Sequence, residues 1–215
     1  METALRWNSL AVMTEGSAEP ILDADAQLMI RFRDGDLCAF ESLFDRHSRS
    51  VINFTFKFVR NRQIAEELAQ EIFLRVHDAA PAYRAEAKFK TWLYRIATNV
   101  CLNEIRKPHY RMTHQSLDAP QTEHLDERPM ELQDPQPDAQ RQMERRALAG
   151  ALTEAISGLP EKQRIAFVLN KYQELSYSEV AGAMNTSEKA VKSLIHRAKE
   201  ALATHLRPIL PEIWK

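Results

Sequence analysis

The sequence predicts an all-α fold in which two small helical domains are joined by an extended acidic linker. Three observations predict it: two blocks carry apolar residues at helical spacing, prolines and acids crowd the stretch between them, and only 5 of 215 residues are glycine. Tight β-turns need residues that tolerate a positive φ, so this low glycine content argues against a turn-rich β protein. A chain of this length holds one large or two small domains.

The first block, residues 23–108, reads as several consecutive helices after an N-terminal extension, residues 1–22, which we expect to be flexible. A first helix is interrupted at Gly35, and a later one ends before Pro81, because the residue that precedes a proline disfavours the helical conformation. The last helix of this block ends before Pro108. The clearest apolar stripe repeats at every fourth residue: Ile64, Leu68, Ile72 and Val76.

Residues 109–140 lose the helical period. Half of the 10 prolines lie within residues 108–140, and residues 112–140 hold seven acidic residues against one basic residue. Such a composition buries too little apolar surface to offset the entropy lost on ordering. The sequence therefore predicts a flexible linker, which is either an inert spacer or a functional segment.

The second block, residues 141–215, contains the signals of a helix-turn-helix. Ser176 is a good N-cap, and Glu179 stands three residues later at the capping-box position. Asn185 accepts the left-handed conformation with which many helices end. Ser187 caps the next helix, which is predicted to run to about residue 206. Two helices joined by so short a turn are typical of a helix-turn-helix.

The second helix of this pair has a basic outer side. With Val191, Ile195, Ala198 and Leu202 facing inward, the outward side chains are Lys189, Lys192, Ser193, His196, Arg197 and Lys199. A major groove accepts one helix, and long cationic side chains reach phosphates and base edges there. DNA contact is favoured over the alternative, a merely solvated basic face.

A second basic stretch lies in the first block. Residues 81–111 hold seven basic and two acidic residues, and aromatic residues alternate with the bases between Tyr83 and Arg95. Stacking rings together with a cationic groove are typical of sites for single-stranded nucleic acid. Asn99 and Asn103, four residues apart on one helical face, can donate to and accept from base edges. The alternative is that Trp92 and its neighbours are core, and we expect Trp92 to be mostly packed and both asparagines exposed.

Opposite the apolar stripe, the helix around residue 70 carries Glu67, Gln70, Glu71 and Leu74. An acidic face with an exposed leucine suits a basic partner helix, although solvated acids are the commoner explanation.

Several classes of protein are excluded by what the sequence lacks. No apolar run reaches about 18 residues, so we expect no membrane insertion, and the N-terminus lacks the pattern of a signal peptide. Cys38 and Cys101 form no ligand motif and suggest a reducing cytoplasm. The 7 histidines are scattered, with no metal-ligand cluster and no phosphate-binding loop. We therefore expect no catalytic residues, no metal, no cofactor and no enzymatic activity.

Two long runs resemble a known family. AEELAQEIFLRVHDAAPAYRAEAKFKTWLYRIATNVCLNEIRK, residues 65–107, resembles region 2 of bacterial extracytoplasmic-function (group 4) sigma factors of the sigma-70 family, and DAQLMIRFRDGDLCAFESLFDRH matches its start. LPEKQRIAFVLNKYQELSYSEVAGAMNTSEKAVKSLIHRAKEAL, residues 159–202, resembles their region 4. The resemblance covers about residues 24–207 in the order of the family, and no region 3 domain intervenes.

The resemblance implies a protein that binds core RNA polymerase, recognises the -35 and -10 promoter elements and promotes DNA melting. The face around Lys192 and Arg197 would then read the -35 element. The residues that would contact the -10 element are Arg84, Lys88, Lys90, Asn99, Asn103 and Arg106.

Partners follow from the same resemblance. The polymerase would be bound at its β′ clamp helices and its β flap, with the linker threading the polymerase channel, and an anti-sigma factor would hold the protein inactive. The residues that would dock on the clamp helices are Glu67, Leu68, Gln70, Glu71 and Phe73.

Two other functions remain alternatives. A self-sufficient helix-turn-helix regulator would dimerise and bind duplex DNA without polymerase. An adaptor that covers polymerase without reading DNA would tolerate loss of Arg197 and Asn103.

Overall fold

The computed structural model describes residues 22–107 and 139–207, with side chains in the second range from residue 148 onward. Residues 1–21 of the predicted N-terminal extension and residues 109–138 of the predicted linker lie outside the described residues. In the described part of the chain all regular structure is helical, as predicted. The α-helices are α1 (Ala24–Arg33), α2 (Leu37–Val59), α3 (Arg62–Ala79), α4 (Phe89–Arg106), α5 (Ala139–Ser157), α6 (Glu161–Lys171), α7 (Tyr177–Met184) and α8 (Glu188–Leu206), with a 3-10 turn at Ala80–Ala82.

Short polar side chains set the starts of the first three helices. Asp23 Oδ1 accepts the N–H of Ala26 at 2.7 Å and caps α1, and Asp36 and Asn61 cap α2 and α3 in the same way. Gly35, with φ 108°, makes the turn between α1 and α2 where the sequence predicts an interruption. Leu68, Ile72 and Val76 of the α3 stripe are buried, and α3 packs against α2 and α4, whose buried rings include Phe54, Phe58, Phe89 and Tyr94. These helices form the first domain.

The second domain is built as the sequence predicts, except that α5 begins at Ala139, two residues before the predicted domain start. Ser176 and Glu179 form a complete capping box at the start of α7. Asn185 ends α7 with φ 50° and ψ 54°, in the left-handed region, and Ser187 caps α8. Since each signal acts within three residues, the helix-turn-helix follows from local sequence alone.

The two domains pack against each other, although the sequence predicts only a flexible connection between them. Helix α4 of the first domain lies along α7 of the second, and α2 reaches α5. Lys57 places its ammonium 3.6 Å from the centre of the Tyr172 ring. Arg60 Nη1 donates to Ser157 Oγ at 3.3 Å. The side chains on α4 that could contact DNA are therefore beside the second domain.

Candidate nucleic-acid and polymerase interfaces

Helix α8 presents a continuous exposed face over a buried apolar one. Val191, Ile195, Ala198 and Leu202 are buried, as the sequence predicts. The six candidate -35 side chains are all exposed: Lys189, Lys192, Ser193, His196, Arg197 and Lys199. Lys192 pairs with Glu188 at 2.8 Å, and this hydrogen bond raises the pKa of the lysine. The face is therefore an exposed row of cationic and polar side chains that is open to a large ligand.

The candidate -10 side chains lie on α4 and on the loop before it. Arg84, Lys88, Asn103 and Arg106 are exposed, and Lys90 and Asn99 are half-buried. The two asparagines share one side of α4, although only Asn103 has the full exposure that we expected for both. The six candidate side chains together form a band of hydrogen-bond donors along α4 and its preceding loop.

Asp23 fixes the loop that leads into α4. Lys88, the N-cap residue of α4, supplies no side-chain cap, and Asp23 Oδ2 instead accepts the N–H of Phe89 at 3.0 Å. The same carboxylate caps α1 through its other oxygen. Arg33 Nη1 also donates to the carbonyl of Tyr83 at 3.4 Å. The loop is thereby tied to both ends of α1.

The aromatic rings of the basic segment are mostly structural. Tyr83, Phe89 and Tyr94 are buried, so their rings are not available for base stacking in this arrangement. Burial raises the pKa of Tyr83 to about 12, and the negative charge of Asp23 adds to the shift. Trp92 is half-buried, with its ring edge-on to Tyr83 at 4.9 Å, which agrees with the expectation that it is mostly packed. The stacking hypothesis is therefore restricted to Trp92.

Two candidate -10 cations are paired with carboxylates of the second domain. Lys88 Nζ lies 2.9 Å from Glu179 Oε1, and Arg106 Nη2 lies 2.6 Å from Glu161 Oε1. Partial burial opposes ionisation of Glu179, but hydrogen bonds from Lys88 and Ser176 outweigh it and lower its pKa to about 2. The Lys88 pKa is raised by the same pair, so both groups are charged at neutral pH.

The predicted polymerase face on α3 is only partly at the surface. Glu67 and Gln70 are exposed, and Glu71 is half-exposed and paired with Arg75. Leu68 and Phe73 are each only 4% exposed. Both side chains face the core in this arrangement, and the ring of Phe73 packs against that of Phe44 of α2, so direct docking by either residue stays a prediction.

An apolar patch continues the α3 face onto α2. Leu74 is 65% exposed, and Phe44 is 41% exposed with its ring 4.8 Å from that of Phe73. Leu37, at the start of α2, is also exposed. Of these three residues, the sequence predicts only Leu74 as an exposed apolar side chain. The signal for the others was the spacing of Leu37 and Phe44, seven residues apart on one side of a helix.

The described residues offer no alternative chemical centre. Within residues 22–107 and 148–207, no three histidine, cysteine or acidic side chains are grouped so that they could hold a metal ion. Cys38 is exposed, and Cys101 is buried, which raises the pKa of its thiol. No helix in the described part of the chain is both long and apolar enough to cross a bilayer.

Comparison with known proteins decides the family. Residues 43–111 match the family model for Sigma-70 region 2, and residues 149–202 match that for Sigma-70, region 4. The chain is 31% identical over 192 residues to the RNA polymerase sigma-H factor of Pseudomonas aeruginosa, covering 88% of this chain and 97% of that protein. It is 33% identical over 182 residues to the ECF RNA polymerase sigma factor SigW of Bacillus subtilis, covering 82% and 94%. The chain belongs to the extracytoplasmic-function sigma factors of the sigma-70 family.

Solved structures show the same fold for this sigma factor. CnrH, in complex with the cytosolic domain of CnrY, matches with a TM-score of 0.62 at 22% identity, covering 86% of this chain and 99% of that one. RpoE of Bartonella quintana, in complex with the anti-sigma factor NepR, matches with a TM-score of 0.59 at 19% identity, covering 78% and 96%. The resemblance noted in the sequence is confirmed. As a sigma factor, the protein acts in transcription initiation with RNA polymerase and promoter DNA.

Proposed function

We propose that this sigma factor reads the -35 element with the exposed face of α8 and the -10 element with α4 and its preceding loop, while α3 docks on core polymerase. The observation that carries this proposal is the α8 face. A basic helix follows a capped helix-turn-helix and exposes all six candidate side chains. This is the arrangement that a major groove accepts.

The chemistry of α8 divides between positioning and reading. Lys192 and Lys199 neutralise phosphates, which sets the register of the helix but carries no sequence information. Arg197 offers a planar pair of donors that fits the O6 and N7 acceptors of guanine. Ser193 is short, so it lets the helix approach the groove closely.

The first domain acts on the -10 element. Arg84 and Lys88 are exposed on the loop before α4. Asn103 is exposed further along the chain, in the last turns of α4. Cations hold the strand backbone, and the asparagine amides exchange hydrogen bonds with unpaired base edges. Because Asp23 holds the loop in place, little entropy is lost when the strand binds.

Docking on polymerase uses the outer face of α3. Glu67, Gln70 and Glu71 give an acidic and polar rim, and Leu74 and Phe44 give an apolar centre. A basic helix pair such as the β′ clamp helices fits both parts. The second domain would contact the β flap. Bond formation between nucleotides belongs to the polymerase, so this chain supplies binding and positioning only, and it acts in the cytoplasm beside the chromosome.

Two further parts of the proposal concern segments and partners outside the described residues. The acidic linker, residues 109–140, threads the polymerase channel as a mimic of nucleic acid. An anti-sigma factor controls access to polymerase, and it would have to cover the α3 face or hold the domains together.

The proposal is tested by adding the purified chain to core RNA polymerase and mapping transcription start sites on bacterial promoter DNA. We expect initiation at defined promoters, with loss when either the -35 or the -10 element is scrambled. Initiation that does not depend on either element, or selective binding of duplex DNA that ignores polymerase, would overturn it.

The docking face has its own test. Replacing Gln70 and Glu71 together by alanine should weaken co-elution with core polymerase, because it removes a charge and a polar group that would be complementary to basic groups of the partner. Glu154→Gln, at an exposed acid of α5, is the matched control and should co-elute normally. Undiminished co-elution of the double variant, with an unchanged helical spectrum, would remove this face from the proposal.

A further inference from the structure

The contact between the two domains combines a close apolar approach with buried hydrogen bonds. A Cβ atom on Gly182 of α7 would lie 3.5 Å from Thr91 Cγ2 of α4, so a methyl group at this position would just reach van der Waals contact across the two helices. Beside this point, Gln173 is buried and its Oε1 accepts from Ser50 Oγ at 2.8 Å and from the hydroxyl of Tyr94. Buried polar groups need partners, so these three side chains specify one relative position of the domains.

The charged contacts lie on either side of this centre. Glu179 holds Lys88 at one end of α4, and Glu161 holds Arg106 at the other. Both cations belong to the proposed -10 surface, and both carboxylates come from the second domain. A carboxylate and a phosphate are alike in offering oxygen acceptors with negative charge to a cation. The second domain therefore occupies positions that a DNA backbone would take.

We propose that the α4–α7 contact is an autoinhibitory lock: the second domain covers the -10 surface, with Glu179 and Glu161 in place of DNA phosphates, until the domains separate. The inference rests on the proposed function, since it assigns Lys88 and Arg106 to DNA. It goes beyond that function because it needs no inhibitor protein. The isolated chain is held inactive by its own second domain.

The spacing of the two promoter elements supports the lock independently of the charged contacts. The -10 and -35 elements, as their names state, lie about 25 base pairs apart, which is roughly 85 Å along duplex DNA at about 3.4 Å per base pair. A helical domain of this size is about 30 Å across, so two touching domains have centres only about 30 Å apart. The closed arrangement cannot reach both elements at once. Promoter recognition therefore requires α4 and α7 to part.

The composition of the contact allows it to open. The Lys88 and Arg106 side chains are each more than half exposed, and such pairs are weak and are screened by salt. Polymerase that fixes the domains at a larger spacing would compete with the contact by its own binding energy.

A reversible crosslink tests the lock on the full chain. Thr91→Cys with Gly182→Cys, in a Cys38→Ser background, places two thiols across the contact, near the spacing that a disulfide requires. Thr91 Oγ1 is buried without a hydrogen-bond partner, so its replacement removes no bond. We expect the oxidised chain to lose at least tenfold in promoter-specific initiation with core polymerase, and a reductant to restore it.

The controls separate failure of the lock from failure of the proposed function. Duplex -35 DNA should bind the oxidised and reduced chains alike, because the six candidate side chains of α8 are already exposed while the contact is closed. A reduced chain that cannot initiate at all would count against the proposed function. An oxidised chain that initiates as well as the reduced one would overturn the lock, and so would cysteines that never couple, since the domains would then not hold this contact in solution.

A bulky substitution in the contact should have the opposite effect to the crosslink, because it should hold the two domains apart. Gly182→Ile introduces a stiff side chain against Thr91 and keeps every charge. We expect a larger radius of gyration by small-angle X-ray scattering and at least threefold tighter binding of single-stranded -10 DNA. An expanded chain with unchanged affinity for that strand would overturn the inhibitory role of the contact.

Discussion

The two basic surfaces of this sigma factor differ in what lies over them. The α8 face carries its six candidate side chains in the open, and its ion pairs in the described residues, Lys192 with Glu188 and His196 with Glu200, lie within the helix itself. On the α4 face, by contrast, Lys88 and Arg106 form ion pairs with carboxylates of the other domain. Similar composition therefore produces one surface that is ready for DNA and one that is occupied.

This difference has a physical origin in the helices that carry the surfaces. Helix α8 has one buried apolar stripe and needs no further partner. Helix α4 is buried along most of its length, and the side that meets α7 carries Thr91 and Tyr94, which are buried in the contact between the domains. A cationic surface beside such residues is easily covered by another domain of the same chain.

The largest effect is expected at the open surface. Arg197→Ala removes a two-donor contact to a base, which costs about 1–3 kcal/mol, or about 5- to 150-fold in -35-dependent initiation. Initiation rates with core polymerase on promoters with and without a -35 element measure the loss. Lys171→Ala removes an exposed base from α6 and is the matched control. Equal initiation by Arg197→Ala and the control would take α8 out of -35 recognition.

The covered surface is tested next through Asp23. Asp23→Ala removes the caps of both α1 and α4, and at about 1 kcal/mol for each cap the free energy of unfolding should fall by about 2 kcal/mol. Urea denaturation measures the fall. Permanganate footprinting of the -10 region should show weaker melting, while -35 binding by α8 is unchanged.

The variant Asp23→Asn distinguishes the cap of α1 from the cap of α4, because each cap uses a different carboxylate oxygen. Asp23→Asn keeps one oxygen acceptor and turns the other group into a donor, so it should restore about half of the lost stability. Should Asp23→Ala melt the -10 region as well as the unchanged protein does, the loop would not depend on this carboxylate.

A smaller effect is expected from the capping box, which supports both surfaces at once. Ser176→Ala deletes the hydroxyl that accepts the N–H of Glu179 at 3.2 Å, and the loss should be about 1 kcal/mol of the free energy of unfolding. Thr204→Ala, on the exposed side of α8, is the control and should be close to neutral. A Ser176→Ala chain as stable as the control would contradict the role of the box.

The sequence predicts those features that depend on residues close together in the chain, and it fails for contacts between residues far apart in the chain. The helix-turn-helix is predicted closely, because Ser176, Asn185 and Ser187 act on backbone groups within three residues. Docking roles for Leu68 and Phe73 stay a prediction, although both side chains are buried here and Leu68 also stands in the apolar stripe. The α4–α7 contact was missed, because Tyr94 and Gln173 are 79 residues apart and nothing local marks them as partners.

The smallest effect is expected from pH near neutrality, although the contact is rich in charge. The folded-state pKa of Glu179 is lowered from 4.5 to about 2, so its contribution to stability is complete above pH 4.5 and is lost as the pH falls through about 2. The difference in free energy of unfolding between the unchanged protein and Glu179→Gln should therefore be constant from pH 6 to 8 and shrink below pH 4.5. Urea titrations of both chains across this range measure it. A difference that varies between pH 6 and 8 would mean that another titrating group, and not the Glu179 carboxylate, controls the closed contact.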